Sequence, residues 1–198
     1  MKIKVLDLEI SNIRSLVSAL STIGYQPEVI KVDGNFKNFN LLFLPGVGSF
    51  DSGIKKLINT NAYDAINSKE REFNIFGICL GAQLLLEKSE ESIEKLKGLS
   101  IIKGNSIKIS SFNKGLRTLN SWKRVYFKDD STEIFYLNHS YAINVCERNL
   151  IARYTLIDKS ITAAIGNEIG DIGVQFHPEK SGQKGLDWLS KKLKKFAE

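Results

Sequence analysis

Cysteine, histidine and proline are all scarce in this chain, at two, two and three among 198 residues. Two cysteines build no disulfide framework, so a reducing compartment is the simpler expectation. Two histidines and two cysteines are also too few for the usual zinc spacings, and neither a metal nor a cofactor is expected. Long apolar runs are missing as well. No stretch approaches the roughly 20 residues that a membrane helix needs. The opening "MKIKVLDLEI" meets Asp7 and Glu9 too soon for a secretory signal. The expectation is therefore a cytoplasmic protein with no membrane partner. Repeats, low-complexity tracts and linkers are absent. With 42% hydrophobic and 25% charged residues, residues 1–198 read as one globular domain.

The net charge of +6 raises the question of nucleic acid. The basic residues are spread along the chain, and their one cluster, "KKLKKFAE", has the composition of a solvated helix face. No zinc-finger spacing and no RNA-binding signature accompanies them, so no nucleic-acid partner is expected.

The first half alternates strand-like and helix-like patterns. "KIKVLDL" reads as a buried strand. From Asn12 onward, Ile13, Leu16, Val17, Leu20 and Ile23 keep helical spacing, with Gly24 placed to end the helix. Strands follow near "PEVIKV" and in "LLFLP". A helix then carries Ile54, Leu57, Ile58 and Ile66. "FNIFGI" is the next strand, and "GAQLLLEKS" opens a helix. Strands separated by helices imply a parallel sheet covered on both faces. In the second half, "SIIKGNSIKIS", "RVYF", "EIFYL", "AINVC", "LIARYTL", "ITAAI" and "IGVQF" are short runs between polar turns, the pattern of antiparallel strands. A final helix sets Leu186, Leu189, Leu193 and Phe196 on one stripe. The predicted fold is α/β: a mixed sheet with a mostly parallel core, flanking helices and an antiparallel portion. Pro27, Pro45 and Pro178 all fall at predicted element ends.

Three stretches carry chemistry. Gly77-Ile78-Cys79-Leu80-Gly81 sits between a predicted strand and a predicted helix, the context of a nucleophile elbow with cysteine in place of serine. There the sulfur is exposed at the sheet's carboxyl edge, near a helix N-terminus that favours thiolate. The alternative is a small buried hydrophobe in a glycine-tolerant turn. In "IGVQFHPEKSG", His177 follows an apolar strand and Glu179 lies two residues on, able to hold the imidazole. A nucleophilic cysteine needs such a base and orienting group, although a lone histidine beside an apolar run also serves purely structural roles. In "LPGVGSF", Gly46, Val47 and Gly48 form a potential nest of backbone N–H groups for an oxyanion, or a simple tight turn. The loop lacks the Gly-Lys-Ser/Thr end of a phosphate-binding Walker loop.

Taken in order, "PGVGSF", "GICLGAQLL" and "GVQFHPEKSG" resemble the class I glutamine amidotransferases with a Cys-His-Glu triad. The chain length, "NHSY" at 138–141 and "FHPEKS" are most similar to the glutaminase subunits of imidazole glycerol phosphate synthases. The resemblance spans roughly residues 4 to 182. It implies that Cys79 attacks the glutamine amide to form a thioester, that His177 relays the proton, and that Glu179 orients His177. It places Leu80 N–H in an oxyanion hole with Val47 or Gly48 of the glycine loop. It assigns Gly46, Gln83, His139, Ser140 and Tyr141 to the glutamine pocket. Asn12, Tyr141 and Lys180 fall toward the partner, although Tyr141 also reads as an ordinary half-buried strand tyrosine. The implied partner is a (β/α)8-barrel cyclase, in a heterodimer serving histidine biosynthesis, to which ammonia is passed.

Two segments depart from the pattern. Where the family usually shows Asp-Tyr-Gly-x-Gly-Asn, this chain has Asp7-Leu8-Glu9-Ile10-Ser11-Asn12. Where it shows Pro-His-Met-Gly-Trp-Asn, this chain has Thr118-Leu119-Asn120-Ser121-Trp122-Lys123. Both bear on the partner and the ammonia acceptor rather than on the triad. They leave open a paralogue that supplies ammonia for amidation of a surface-polysaccharide sugar, and a silent regulatory or binding subunit of the same fold.

Overall fold

The computed structural model describes residues 1–9, 13–46 and 48–196. The strands are β1 (Ile3–Asp7), β2 (Glu28–Lys31), β3 (Leu41–Leu44), β4 (Asn74–Ile78), β5 (Lys88–Ser89), β6 (Gly104–Lys108), β7 (Leu119–Phe127), β8 (Thr132–His139), β9 (Tyr141–Val145), β10 (Leu150–Leu156), β11 (Lys159–Gly166) and β12 (Ile172–Val174). The α-helices are α1 (Arg14–Thr22), α2 (Phe50–Leu57), α3 (Asn61–Asn67), α4 (Leu80–Leu84) and α5 (Gly182–Lys194).

A nine-stranded sheet runs β2-β1-β3-β4-β12-β11-β10-β7-β8. Its first five strands are mutually parallel, and each pair from β12 to β8 is antiparallel. This is the mixed sheet expected from the sequence. Successive residues of a strand point to opposite faces, and both faces are buried in β1, β3, β4 and β12. Val5, Phe43, Phe76 and Val174 join Leu16 and Leu20 of α1 and Leu189 and Leu193 of α5 in one cluster. Leu6, Leu42, Leu44 and Ile75 join Ile54 and Leu57 of α2, Ile66 of α3 and Leu84 of α4 in the other. That explains why β3 reads as an unbroken apolar run rather than as an alternating one.

The second-half strands divide between two sheets, because β9 pairs with β6 in a small β5-β6-β9 sheet. The structure corrects three expectations of detail. The single helix expected across residues 54–66 is two helices. Asn59 takes a left-handed φ of 62°, and Thr60 accepts the Tyr63 N–H to start α3 afresh. The long strand expected from Ser100 is shorter, beginning at Gly104, with Ser100 itself at φ 57°. The helix after Cys79 has only five residues. All three prolines do stand at element ends, with Pro178 opening a 3-10 turn, Pro178–Lys180.

At the first departure from the family pattern, Glu9 keeps a left-handed backbone, φ 58°, where the pattern has glycine. Its N–H bonds Asp7 Oδ1 at 2.8 Å, and its carboxylate bridges Lys56 at 2.9 Å and Lys31 at 3.8 Å. No helix among the described residues is long and apolar enough to cross a membrane.

Candidate active site

Ligands of open α/β sheets bind beyond the carboxyl ends of the strands, and the three sequence stretches meet there. Cys79 follows β4, Gly46 follows β3 and His177 follows β12. The antiparallel strand β8 runs the same way as β12 and delivers Asn138 and His139 to the same edge.

Cys79 has φ 52° and ψ −107°, a conformation that L-residues rarely adopt. Its N–H is held by Val174 O at 2.8 Å, and its own carbonyl accepts the Gln83 N–H at 3.2 Å. The flanking glycines make the turn possible. A Cβ on Gly81 would stand 1.7 Å from Leu44 O, and one on Gly77 would stand 2.7 Å from the Gly81 carbonyl oxygen. Neither position admits a side chain. The strain is local and specific, the setting of a nucleophile elbow, although Cys79 itself is buried rather than exposed as expected.

His177 is 3% exposed. Its backbone N–H is docked on Tyr136 O at 2.9 Å, and its carbonyl accepts the Ser181 hydroxyl at 2.6 Å. Its Nδ1 lies 2.8 Å from Glu179 Oε1. A carboxylate only accepts, so Nδ1 carries the proton and Nε2 is left for the sulfur. Burial disfavours the imidazolium, but hydrogen bonds with Cys79 and Glu179 and their negative charge outweigh it. The His177 pKa is pushed up to about 9. Glu179 Oε2 is buried with no hydrogen-bond partner among the described residues, so the carboxylate's compensation comes from His177. The pattern is that of a cysteine beside an imidazole that a carboxylate orients.

A cleft of about 240 Å³ opens at Cys79, lined by Gly46, Gly48, Leu80, Gln83, Glu91, Thr118, Asn138, His139, Ser140 and Tyr141. Every residue that the resemblance placed in the glutamine pocket is therefore here. Gly48 has a left-handed φ of 123°. Gln83 turns its Nε2 away from the cleft, to Tyr141 O at 2.7 Å and Gln175 Oε1 at 3.1 Å. His139 donates from Nδ1 to Tyr141 O at 2.9 Å and accepts the Tyr154 hydroxyl at Nε2, 3.3 Å away. Both its nitrogens are engaged, so His139 shapes the wall. Burial, reinforced by the charge on His177, pushes its pKa down to about 4 despite the Tyr141 carbonyl. Ser140 Oγ pairs with Thr118 Oγ1 at 2.7 Å. Lys180 is exposed, next to Glu179. Val47 and Asn12, expected in the oxyanion hole and at the partner surface, lie outside the described residues.

Sequence reasoning missed three neighbours. Asn138 O and Gln175 Nε2 each stand 3.7 Å from Cys79 Sγ. Glu91 is the one carboxylate among the described lining residues. It accepts the Phe50 N–H at 2.8 Å, and burial, with the nearby charge of Asp51, raises its pKa. "HSY" and "VQFHPE" hinted at Asn138 and Gln175 by adjacency, but nothing local marked Glu91. A larger cleft of about 620 Å³ lies between α5 and the β7–β8 turn, lined by Lys128, Lys184, Lys191, Lys192 and Lys195 with Asp129, Glu133 and Asp187. Its described lining holds no cysteine and no histidine. Among the described residues no group of three or more His, Cys, Asp or Glu side chains is placed to hold a metal.

Comparison with known proteins gives the family and the fold. The family model "Glutamine amidotransferase class-I" matches residues 4–196. Imidazole glycerol phosphate synthase subunit HisH of Caldanaerobacter subterraneus subsp. tengcongensis is 36% identical, with 99% of this chain and 97% of that one covered. The HisH subunit of Methanopyrus kandleri is 32% identical, with 98% of each covered. The HisH subunit of Thermotoga maritima is 38% identical over 77% of this chain and 75% of its own. A crystal structure of a glutamine amidotransferase shares the fold at TM-score 0.77 and 17% identity, over 98% of both chains. PurLQS from Thermotoga maritima does so at 0.73 and 19%, covering 100% of this chain and 99% of that one.

Proposed function

The chain belongs to the class I glutamine amidotransferases, and from that premise we propose that Cys79, His177 and Glu179 are its catalytic triad. The observation that carries this is the strained Cys79 elbow facing a buried His177 whose Nδ1 is fixed by Glu179 at 2.8 Å. The enzyme is a glutaminase. The Cys79 thiolate attacks the side-chain amide carbon of glutamine, and a tetrahedral oxyanion forms. Leu80 N–H and the Gly48 N–H of the glycine loop are the donors assigned to that oxygen. The His177 imidazolium gives its proton to the departing nitrogen, which leaves as ammonia. His177, now neutral, takes a proton from water, which hydrolyses the thioester to glutamate and restores the thiolate–imidazolium pair. Glu91 is the anionic wall group for the substrate's α-ammonium. Gln83 Oε1, Ser140 and Tyr141 complete the pocket.

The chain is the glutaminase subunit of an imidazole glycerol phosphate synthase in histidine biosynthesis, and each of the three HisH relatives above is named as a subunit of that synthase. Neither the surface-polysaccharide paralogue nor the silent subunit is favoured by those relatives, and the assembled triad speaks against the second. A cyclase subunit is the partner that the relatives' naming as one subunit of a synthase implies. Its (β/α)8-barrel form follows from the family resemblance. Ammonia in neutral water is mostly ammonium, which does not attack carbon, so a shielded passage into the partner is required. The outer face of β7–β8 fits such docking. Trp122, Tyr126 and Ile134 are 54%, 49% and 36% exposed there, an apolar patch of a kind that marks interaction sites. Trp122 pairs with Tyr136 across the strands, and the Tyr136 ring lies 6.2 Å from that of His177.

Cys79→Ala tests the reading. With a cyclase partner present, glutamine-dependent synthesis should vanish while ammonia-dependent synthesis persists. Loss of both together would make Cys79 a structural residue.

A further inference from the structure

Gln175 has no part in the triad, yet its side chain is fully buried and ends on the nucleophile. Its orientation is forced by a chain of hydrogen bonds that begins at a group with no choice. The Tyr141 carbonyl only accepts, so the Gln83 atom 2.7 Å away must be Nε2. The second N–H on that nitrogen needs an acceptor, so the Gln175 atom 3.1 Å away must be Oε1. The remaining end of Gln175 is then the nitrogen, and it points at Cys79 Sγ from 3.7 Å. Neither amide can flip without opposing donor to donor or acceptor to acceptor.

Besides Gln175, the sulfur meets the Asn138 carbonyl at 3.7 Å. That carbonyl suits the thiol, whose S–H it accepts, and it offers nothing to a thiolate. Gln175 suits both states and binds the thiolate more strongly, since a hydrogen bond to a charged acceptor exceeds one to a neutral acceptor. Being an uncharged amide, it does so without taking the negative charge that His177 must also meet.

We propose that Gln175 is a thiolate-positioning residue, a fixed donor to the Cys79 sulfur aimed by Gln83 from the Tyr141 carbonyl. This rests on Cys79 as the nucleophile. It gives Gln83 a second duty beyond lining the glutamine pocket and gives the backbone at Tyr141 a link to the sulfur.

The test is the pH dependence of Cys79 alkylation by iodoacetamide, measured without turnover in a Cys146→Ser background so that the exposed thiol does not contribute. Gln175→Met, close in volume and without the donor, should move the profile up by about one pH unit, so that the rate on its rising limb falls about tenfold. Gln83→Met, which frees the amide but leaves it present, should move it the same way by less. Gln175→Glu, isosteric and anionic, should move it further than Gln175→Met and carries the test if the methionine variant does not fold. A profile of a folded Gln175 variant that superimposes on that of the parent overturns the proposal. The nucleophile reading fails separately, by retention of glutaminase activity in Cys79→Ser.

Discussion

Acidification should destabilise this fold through His139. The ring is 6% exposed and its two nitrogens are held by Tyr141 O and the Tyr154 hydroxyl. Burial, with the His177 charge nearby, lowers its pKa from 6.5 to about 4. Between those values the unfolded chain binds a proton that the native protein does not. Stability is therefore complete above pH 6.5 and is lost as pH falls toward 4. One proton sets a limiting slope of about 1.36 kcal/mol per pH unit, and the two pKa values give a loss of about 2 kcal/mol at pH 5. His177 acts in another window. Its raised pKa, about 9, contributes stability that is constant below 6.5 and disappears as pH climbs through 9. The assay is urea unfolding at several pH values from 7.5 to 4.5, for the parent and for His139→Asn, which keeps a donor near the Nδ1 position. The variant starts less stable, since the buried Tyr154 hydroxyl loses its acceptor, but its acid slope should be flatter by the amount calculated. Parallel slopes for the two proteins would refute the assignment of a buried neutral imidazole.

Glu91→Gln removes the one carboxylate of the described cleft wall. The KM for glutamine should rise about ten- to hundredfold, the worth of a hydrogen bond to a charged group, with kcat changing less. Steady-state kinetics showing an unchanged KM would remove Glu91 from substrate binding. Far from the cleft, the buried Asp171 carboxylate receives Arg71 Nη1 and Nη2 at 2.7 Å each, Ile75 N–H at 2.8 Å and Asn167 Nδ2 at 2.9 Å. Arg71→Ala strands that charge at the starts of β4 and β12 and should cost about 3–5 kcal/mol in urea unfolding. A loss below about 1 kcal/mol would mean that Ile75 and Asn167 alone suffice.

The parallel half of the fold was legible because both of its faces are buried. Runs such as Leu41–Leu44 have no polar partner phase, and only a strand between two helical layers reads that way. The elbow was legible for a similar reason. Gly77 and Gly81 bracket Cys79 because backbone crosses where side chains would stand, so the constraint is written in the residues themselves. Glu179 was legible from its two-residue distance to His177. The division of the later strands between two sheets was not, since alternation fixes which face a residue uses and not which strand lies beside it. Ala142 and Ile143 of β9 look the same whether the partner is β6 or β8. Gln175 and Glu91 were missed because their partners lie 96 and 41 residues away. Asn59 hid the helix break, as asparagine is tolerated at left-handed φ without announcing it.

Active-site labelling puts the central claim to its most direct trial. The intact protein, incubated with a chloroketone analogue of glutamine and digested for mass spectrometry, should carry one adduct per chain, on Cys79. Excess glutamine should protect it, and His177→Ala should slow the labelling. An adduct on Cys146 alone, or labelling of Cys79 that glutamine does not slow, would contradict a glutaminase built on the Cys79–His177–Glu179 triad.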